Sequence, residues 1–277
     1  MATKKDEVDS TTFKELEQQS WTAKAGTYQS SLGTITSRAA EPLLDALKIE
    51  PGMSVLDVAC GPGYGAAGAA ARGAAAVGID FAATMVAEAQ RKFPTAEFRE
   101  GDAEKLPFRD GSFDAVICLF GLLHFAEPER AIAEAYRVLR SGGRYALTVW
   151  APLENHEFLS LVLRAIKTHG DIDIPLPPAP PFFRFSDREE CQRALMTAGF
   201  LDPFISDVPL VWEPSSAEEF LDLVYKGTVR TALLLERQMA DLRERVHQAI
   251  IEKAEEFKSG DTYRIGWSAV LAIARKP

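Results

Sequence analysis

The feature that most constrains this chain is a rhythm that starts at Met53. The run MSVLDVA, residues 53–59, is almost continuously apolar, as a strand buried on both faces of a parallel sheet requires. It runs into glycines and then an alanine-rich stretch, 66–72, that reads as a helix. The unit then repeats. AAVGID (75–80) is followed by AATMVAEAQRKF (82–93), a helix that stops before Pro94. AEFREGD (96–102) and SFDAVICLFGL (112–122) read as strands three and four. PERAIAEAYRVLRSGG (128–143) is a helix with Pro128 in its first turn and Gly142 just past its end, and RYALTVW (144–150) is a fifth strand. Strand–helix units of this length imply an α/β fold with a doubly wound parallel sheet.

After Trp150 the rhythm changes. NHEFLSLVLRAIKTHG (155–170) reads as a helix, whereas DIDIPLPPAPPFFRF (171–185) is too dense in proline for a helix and too apolar for an ordinary linker. SDREECQRALMTAGF (186–200) opens with Ser186 and Glu189 spaced as a capping box and closes at Gly199. FISDVPLVW (204–212) and WSAVLAIAR (267–275) read as strands. Between them, residues 216–258 read as a long helical stretch, with Met239, Leu242, Val246, Ala249 and Ile250 at spacings of three and four. The expectation is a helical lid inserted between neighbouring strands. At the other end, residues 1 to about 12 are polar and expected to be loose, and 12–47 read as helix in two pieces broken near LGTITS (32–37).

With 277 residues, 47% of them hydrophobic and 26% charged, the chain can bury a sizeable core. A net charge of −9 and a pI near 5.1 argue against general affinity for nucleic acid or an anionic membrane, which needs clustered Lys and Arg. No run approaches 18 apolar residues and the N-terminus has no apolar leader core, so a soluble cytoplasmic protein is expected. Cys60, Cys118 and Cys191 are far apart, odd in number and without metal-ligand spacing, and read as reduced core residues; no metal site is expected.

The loop after the first strand carries Gly61, Gly63, Gly65 and Gly68, and the last three spell G-x-G-x-x-G with Asp80 at the end of the next strand. By pattern alone this is a dinucleotide fingerprint. Asp57, four residues before Gly61, argues otherwise, because a negative charge beside a pyrophosphate opposes the N–H groups and helix dipole that would hold it. The loop also lacks the lysine of a P-loop. A ligand with an ammonium and no phosphate suits it better.

VLDVACGPGYG (55–65) resembles the first motif of class I S-adenosylmethionine-dependent methyltransferases, with Gly61, Gly63 and Gly65 on its glycines. Three further stretches resemble that family in order and spacing: VGID (77–80), GDAEKLPF (101–108), and the whole run from Ser112 to Trp150, which is similar to the ubiquinone/menaquinone-biosynthesis subgroup that acts mostly on small molecules. The resemblance covers roughly residues 50–150. It implies a seven-stranded, mostly parallel sheet of the Rossmann-like kind with an antiparallel last strand, and S-adenosylmethionine as cofactor. It implies that Asp57 is a ligand-site acid, that Asp80 grips the ribose hydroxyls, that Phe81 and Met85 pack on the adenine, and that Asp102 and Ala103 lie against it. Leu119 stands at the end of the fourth strand, where ligands bind in open α/β sheets. In the N-terminal helix, Trp21 and Tyr28 match a segment that closes over the cofactor, with Tyr28 near the methionine carboxylate.

Three segments are expected: 1–48 closing over the cofactor, 49–150 as the cofactor-binding core, and 151–277 as the rest of the sheet (about 187–213 and 263–277) with substrate-covering segments 151–186 and 214–262. Methyl transfer to an O, N or C nucleophile is an in-line displacement that needs positioning and a water-poor site. His124 leads the candidates for a general base, ahead of His156, Glu154 and Tyr225. The proline-rich segment with Trp150, Phe158 and Trp212 offers apolar walls suited to a flat or greasy acceptor. A non-catalytic S-adenosylmethionine-binding regulator and an NAD-dependent oxidoreductase are the alternatives.

Overall fold

The computed structural model describes residues 10–277. Helix α1 (Ser10–Tyr28) is followed by the short turn α2 (Gly33–Thr36) and by α3 (Ala40–Leu47), so the break between the two helical pieces falls just ahead of LGTITS, which itself coils. The loose leader expected over 1–12 is helical from Ser10 onward; its first nine residues lie outside the described ones. The alternating core then runs β1 (Ser54–Val58), α4 (Tyr64–Ala71), β2 (Ala75–Asp80), α5 (Ala83–Lys92), β3 (Glu97–Glu100), β4 (Phe113–Leu119), α6 (Pro128–Val138) and β5 (Leu139–Trp150). The C-terminal part adds α7 (Glu157–His169), α8 (Arg188–Thr197), β6 (Leu201–Trp212), α9 (Glu218–Gly227), α10 (Arg230–Glu236), α11 (Ala240–Ala254), a small hairpin β7 (Lys258–Ser259) and β8 (Thr262–Tyr263), and the final strand β9 (Ile265–Arg275).

Seven strands form one sheet in the order β3-β2-β1-β4-β5-β9-β6. β1 pairs in parallel with β2 on one side and β4 on the other, so the winding reverses between β1 and β4. Only β9 runs against its neighbours, antiparallel to both β5 and β6. The two central strands are buried throughout their interior, Val55 to Val58 and Ala115 to Cys118, which is why their sequences are continuous apolar runs rather than alternating ones. One face is covered by α3, α4, α7, α9 and α11 through residues such as Leu43, Leu47, Ala66, Val162, Phe220 and Ile250. α6 and α8 cover the other through Ile132, Val138, Cys191 and Leu195. The three cysteines are unpaired and buried.

Two boundaries differ from the sequence reading. The cap of α8 is Asp187, whose carboxylate accepts from Glu189 N and Glu190 N at 2.9 and 3.2 Å, and not Ser186, whose hydroxyl donates to Phe183 O at 2.6 Å. The stretch 216–258 is three helices. It breaks at Gly227, where a Cβ would come within 2.7 Å of Leu32, and again at Gln238, whose side chain donates to the carbonyls of Asp171 and Leu234.

Candidate active site

The site is built at the C-terminal ends of β1, β2 and β4, where the reversal of winding parts the connections and leaves a crevice. Leaving β1, the chain turns back sharply: Ala59, Gly61 and Gly63 all have positive φ (53°, 51° and 90°) before α4 begins at Tyr64. A Cβ at position 63 would lie 2.7 Å from the Phe98 ring, and one at position 65 would lie 2.7 Å from Asp57 Oδ2 and 2.6 Å from Ile117. Both glycines therefore serve the close approach of loop and helix to the sheet. At the end of β4, Phe120 is also left-handed (φ 56°); its N–H is held by Thr148 O at 3.0 Å and its ring stacks on Trp150 with centroids 4.1 Å apart. Two non-glycine residues in this region, one at each strand exit, store about 1–3 kcal/mol of strain apiece where the crevice opens.

Asp80 ends β2 and ties the crevice together. Its Oδ2 accepts from Gly61 N and its Oδ1 from Ala82 N, each at 2.9 Å. Burial pushes its pKa up to about 6, against the pull of those two N–H groups and of His124. Each oxygen keeps a second lone pair for a ligand hydroxyl. Asp57 is even more enclosed, 1% exposed. Its Oδ2 accepts from Ala66 N at 2.8 Å inside the first turn of α4, and its Oδ1 is buried with no partner among the described residues. Burial raises its pKa to about 7, and the Asp80 charge adds to the rise.

Tyr28, Gly61, Asp80, Phe81, Met85, Asp102, Ala103 and Leu119 line one cleft, together with His124. Asp57, Gly63 and Gly65 do not line it; they lie beneath the loop and set its shape. Their sequence motif could not distinguish a residue that faces the ligand from one that supports the loop. Asp102 folds back on its own turn, accepting from Glu104 N at 2.9 Å through Oδ1, while Oδ2 receives Lys14 Nζ at 2.5 Å. Lys14 also binds Glu104 at 2.9 Å.

Lys14, Trp21 and Tyr28 of helix α1 line this cleft. Gln18 donates to Phe81 O at 2.7 Å and Thr22 O receives Thr84 Oγ1 at 3.0 Å. Trp21 packs edge-on against Tyr28 (5.5 Å) and against His124 (5.0 Å). Burial raises the Tyr28 pKa, against the pull of its hydrogen bond to Thr36 at 3.0 Å.

A second cavity of about 490 Å³ adjoins the first and shares Trp21, Leu32, His124 and Trp150 with it. Its walls come from the proline-rich segment (Ile174, Pro180, Phe182), from α7 (Phe158, Leu159) and from the α9–α10 junction (Val229, Arg230). Of the four base candidates, His124 alone stands on both cavities. His156 lines the second, but burial pushes its pKa down to about 4, and its Nδ1 caps α7 by accepting Leu159 N–H at 3.4 Å. Glu154 is exposed, and the Tyr225 hydroxyl is bound to His247 at 2.7 Å, away from both cavities. Lys14, which lines the cleft, and Glu17, which lines the second cavity, were not singled out from sequence; both sit in a polar helix whose burial only the tertiary fold reveals.

The donor set indicates which group the first cleft accepts. Its one lysine or arginine among the described residues, Lys14, is neutralised by two carboxylates, so no free cation answers a phosphate. A buried carboxylate for hydroxyls, apolar side chains at Phe81, Met85 and Leu119, and a second acid at Asp102 fit an adenosyl group without phosphate. Residues 56–147 match the methyltransferase-domain family model. A demethylmenaquinone methyltransferase of Beutenbergia cavernae is 45% identical over 116 residues, 40% of this chain and 48% of that protein. The chain thus spans about half the length of that curated relative. A second, from Paenarthrobacter aurescens, is 31% identical over 176 residues, 60% of this chain and 70% of its own length. Among solved structures, a putative methyltransferase from Bacillus halodurans superposes with a TM-score of 0.54 at 22% identity, over 86% of this chain and 98% of that one. By fold, cleft and kinship over most of a relative's length, the chain belongs to the class I S-adenosylmethionine-dependent methyltransferases of the quinone-biosynthesis type.

Proposed function

We propose that this protein transfers a methyl group from S-adenosylmethionine to a small apolar or aromatic acceptor, of the demethylated-quinone kind that its relatives' names carry. The observation that supports this most is the pairing of the two cavities. One is the cleft at the β1/β4 switch point; the other is an apolar chamber beside it that shares its Trp21–His124–Trp150 wall. Bound S-adenosylmethionine supplies an electrophilic methyl on a sulfonium. Asp80 would hold the ribose hydroxyls, Phe81, Met85 and Ala103 the adenine faces, and Asp102 its amino edge.

The protein's own contribution is positional. Aromatic and aliphatic side chains exclude water from the junction, and the rigid strand ends fix the distance between donor and acceptor. His124 stands where a proton leaves the acceptor. The net charge of −9 speaks against a nucleic-acid acceptor. Calorimetric titration with S-adenosylhomocysteine and with NADH tests the cofactor assignment. The first should bind with an affinity that falls at least about tenfold in Asp80→Ala, given hydrogen bonds of about 1.5–3 kcal/mol to a charged group. Binding of NADH instead would sink it.

A further inference from the structure

Helix α1 turns one face to the site: Lys14, Glu17, Gln18 and Trp21 recur at spacings of three and four. Lys14 and Trp21 line the cleft, Gln18 bonds to Phe81 O beside it, and Glu17 lines the second cavity. Glu17 is 1% exposed, and its Oε2 lies 2.9 Å from His124 Nδ1 and 3.0 Å from Trp21 Nε1. A buried carboxylate is costly unless bonded, and here one oxygen takes two bonds, one from the Trp21 indole and one from the His124 imidazole. Two other charged groups act on the pair: Asp80 from the end of β2, and Arg230 from α10, whose Nη1 is otherwise held by Pro177 O at 2.9 Å.

We propose that Glu17 is the positioning residue of a carboxylate–imidazole pair through which His124 removes the proton that the acceptor loses on methylation. The inference rests on the reading that the adjoining cleft holds S-adenosylmethionine. The Glu17 carboxylate accepts Nδ1–H and so fixes the tautomer, leaving the Nε2 lone pair as the base. The acceptor O–H bond breaks and its proton goes to Nε2. The electron pair freed on the acceptor forms the bond to the methyl, whose former bonding pair remains on the donor sulfur. The acceptor gains one methyl and loses one proton, and the imidazolium is balanced by the carboxylate beside it. An acceptor with an ionisable hydroxyl, directly or through conjugation, is the class that needs such a pair.

The test measures methyl transfer to chemically reduced demethylmenaquinone with a short prenyl chain, alongside a panel of hydroxynaphthalenes. Glu17→Gln keeps the size and a hydrogen-bonding side chain but loses the charge; Glu17→Asp keeps the charge and shortens the reach. Glu17→Gln should lower kcat about 100-fold with acceptor KM and S-adenosylhomocysteine affinity within about twofold. Glu17→Asp should retain more activity than Glu17→Gln, and the His124→Asn/Glu17→Gln pair should be no slower than His124→Asn alone. A purely structural role reverses the Gln–Asp order. That reversal, full activity in Glu17→Gln, or additive losses in the double variant overturns the inference. So does a wild-type protein that binds S-adenosylhomocysteine yet methylates no member of the panel. Failure of the wild type to bind S-adenosylhomocysteine overturns the underlying reading instead.

Discussion

Asp57→Asn isolates what the buried acid under the glycine loop does. In the wild type, burial raises the Asp57 pKa from 3.8 to about 7. A carboxylate whose folded value is raised contributes stability that is fully present below the unfolded value and is lost as pH climbs through the folded one. At about 1.4 kcal/mol per pH unit, the loss between pH 4 and pH 8 is roughly 4 kcal/mol. Asparagine keeps the oxygen that accepts Ala66 N–H but brings two N–H donors to a pocket where Oδ1 already lacks a partner, costing about 1–3 kcal/mol at every pH. The variant should therefore be less stable than wild type near pH 4.5 and more stable by about 1–3 kcal/mol at pH 8, with the curves crossing between. Urea unfolding at pH 4.5, 6 and 8 reads this directly. A stability difference that stays constant across the three pH values would refute a neutral, desolvated Asp57.

Other consequences follow from the same geometry. Gly63→Ala sets a Cβ 2.7 Å from Phe98 at φ 90° and should lower the melting temperature, whereas Gly61→Ala has open space around its Cβ and should cost only about 1 kcal/mol while weakening S-adenosylhomocysteine binding, because that space is the cleft; thermal melts and calorimetry separate the two. In the proposed complex the ribose hydroxyls donate to an ionised Asp80, whose pKa is raised to about 6, so S-adenosylhomocysteine affinity should rise between pH 5 and 7 with proton release, and Asp80→Asn should flatten that rise. Calorimetry in buffers of different ionisation enthalpy measures the protons released.

The parts of this molecule legible in its sequence are those where local pattern and tertiary role coincide. Continuous apolar runs mark β1 and β4 because both of their faces are covered, and Asp80 is recognisable because it ends the run of β2, at the mouth of the cleft. Asp57 shows the limit. An acid inside a glycine motif reads the same whether it faces the cleft or, as here, lies beneath the loop bonded to Ala66. Glu17 shows another. The run STTFKELEQQSW around it is polar with no strong apolar stripe, and only the helix's position over the strand ends buries the carboxylate against His124. The division of 216–258 into three helices was hidden for the same reason, since the breaks at Gly227 and Gln238 depend on Leu32 and Asp171, far off in the chain.

The central claim is that the paired cavities bring a methyl donor and a small acceptor together. Its most direct measurement is transfer of a labelled methyl group from S-adenosylmethionine to reduced demethylmenaquinone, followed by chromatographic identification of the product. The proposed function predicts label in the acceptor with the wild type and, with Asp80→Ala at limiting donor, a rate at least about tenfold lower. Equal transfer by the two proteins, or none by a wild type saturated with donor and this acceptor, would contradict it.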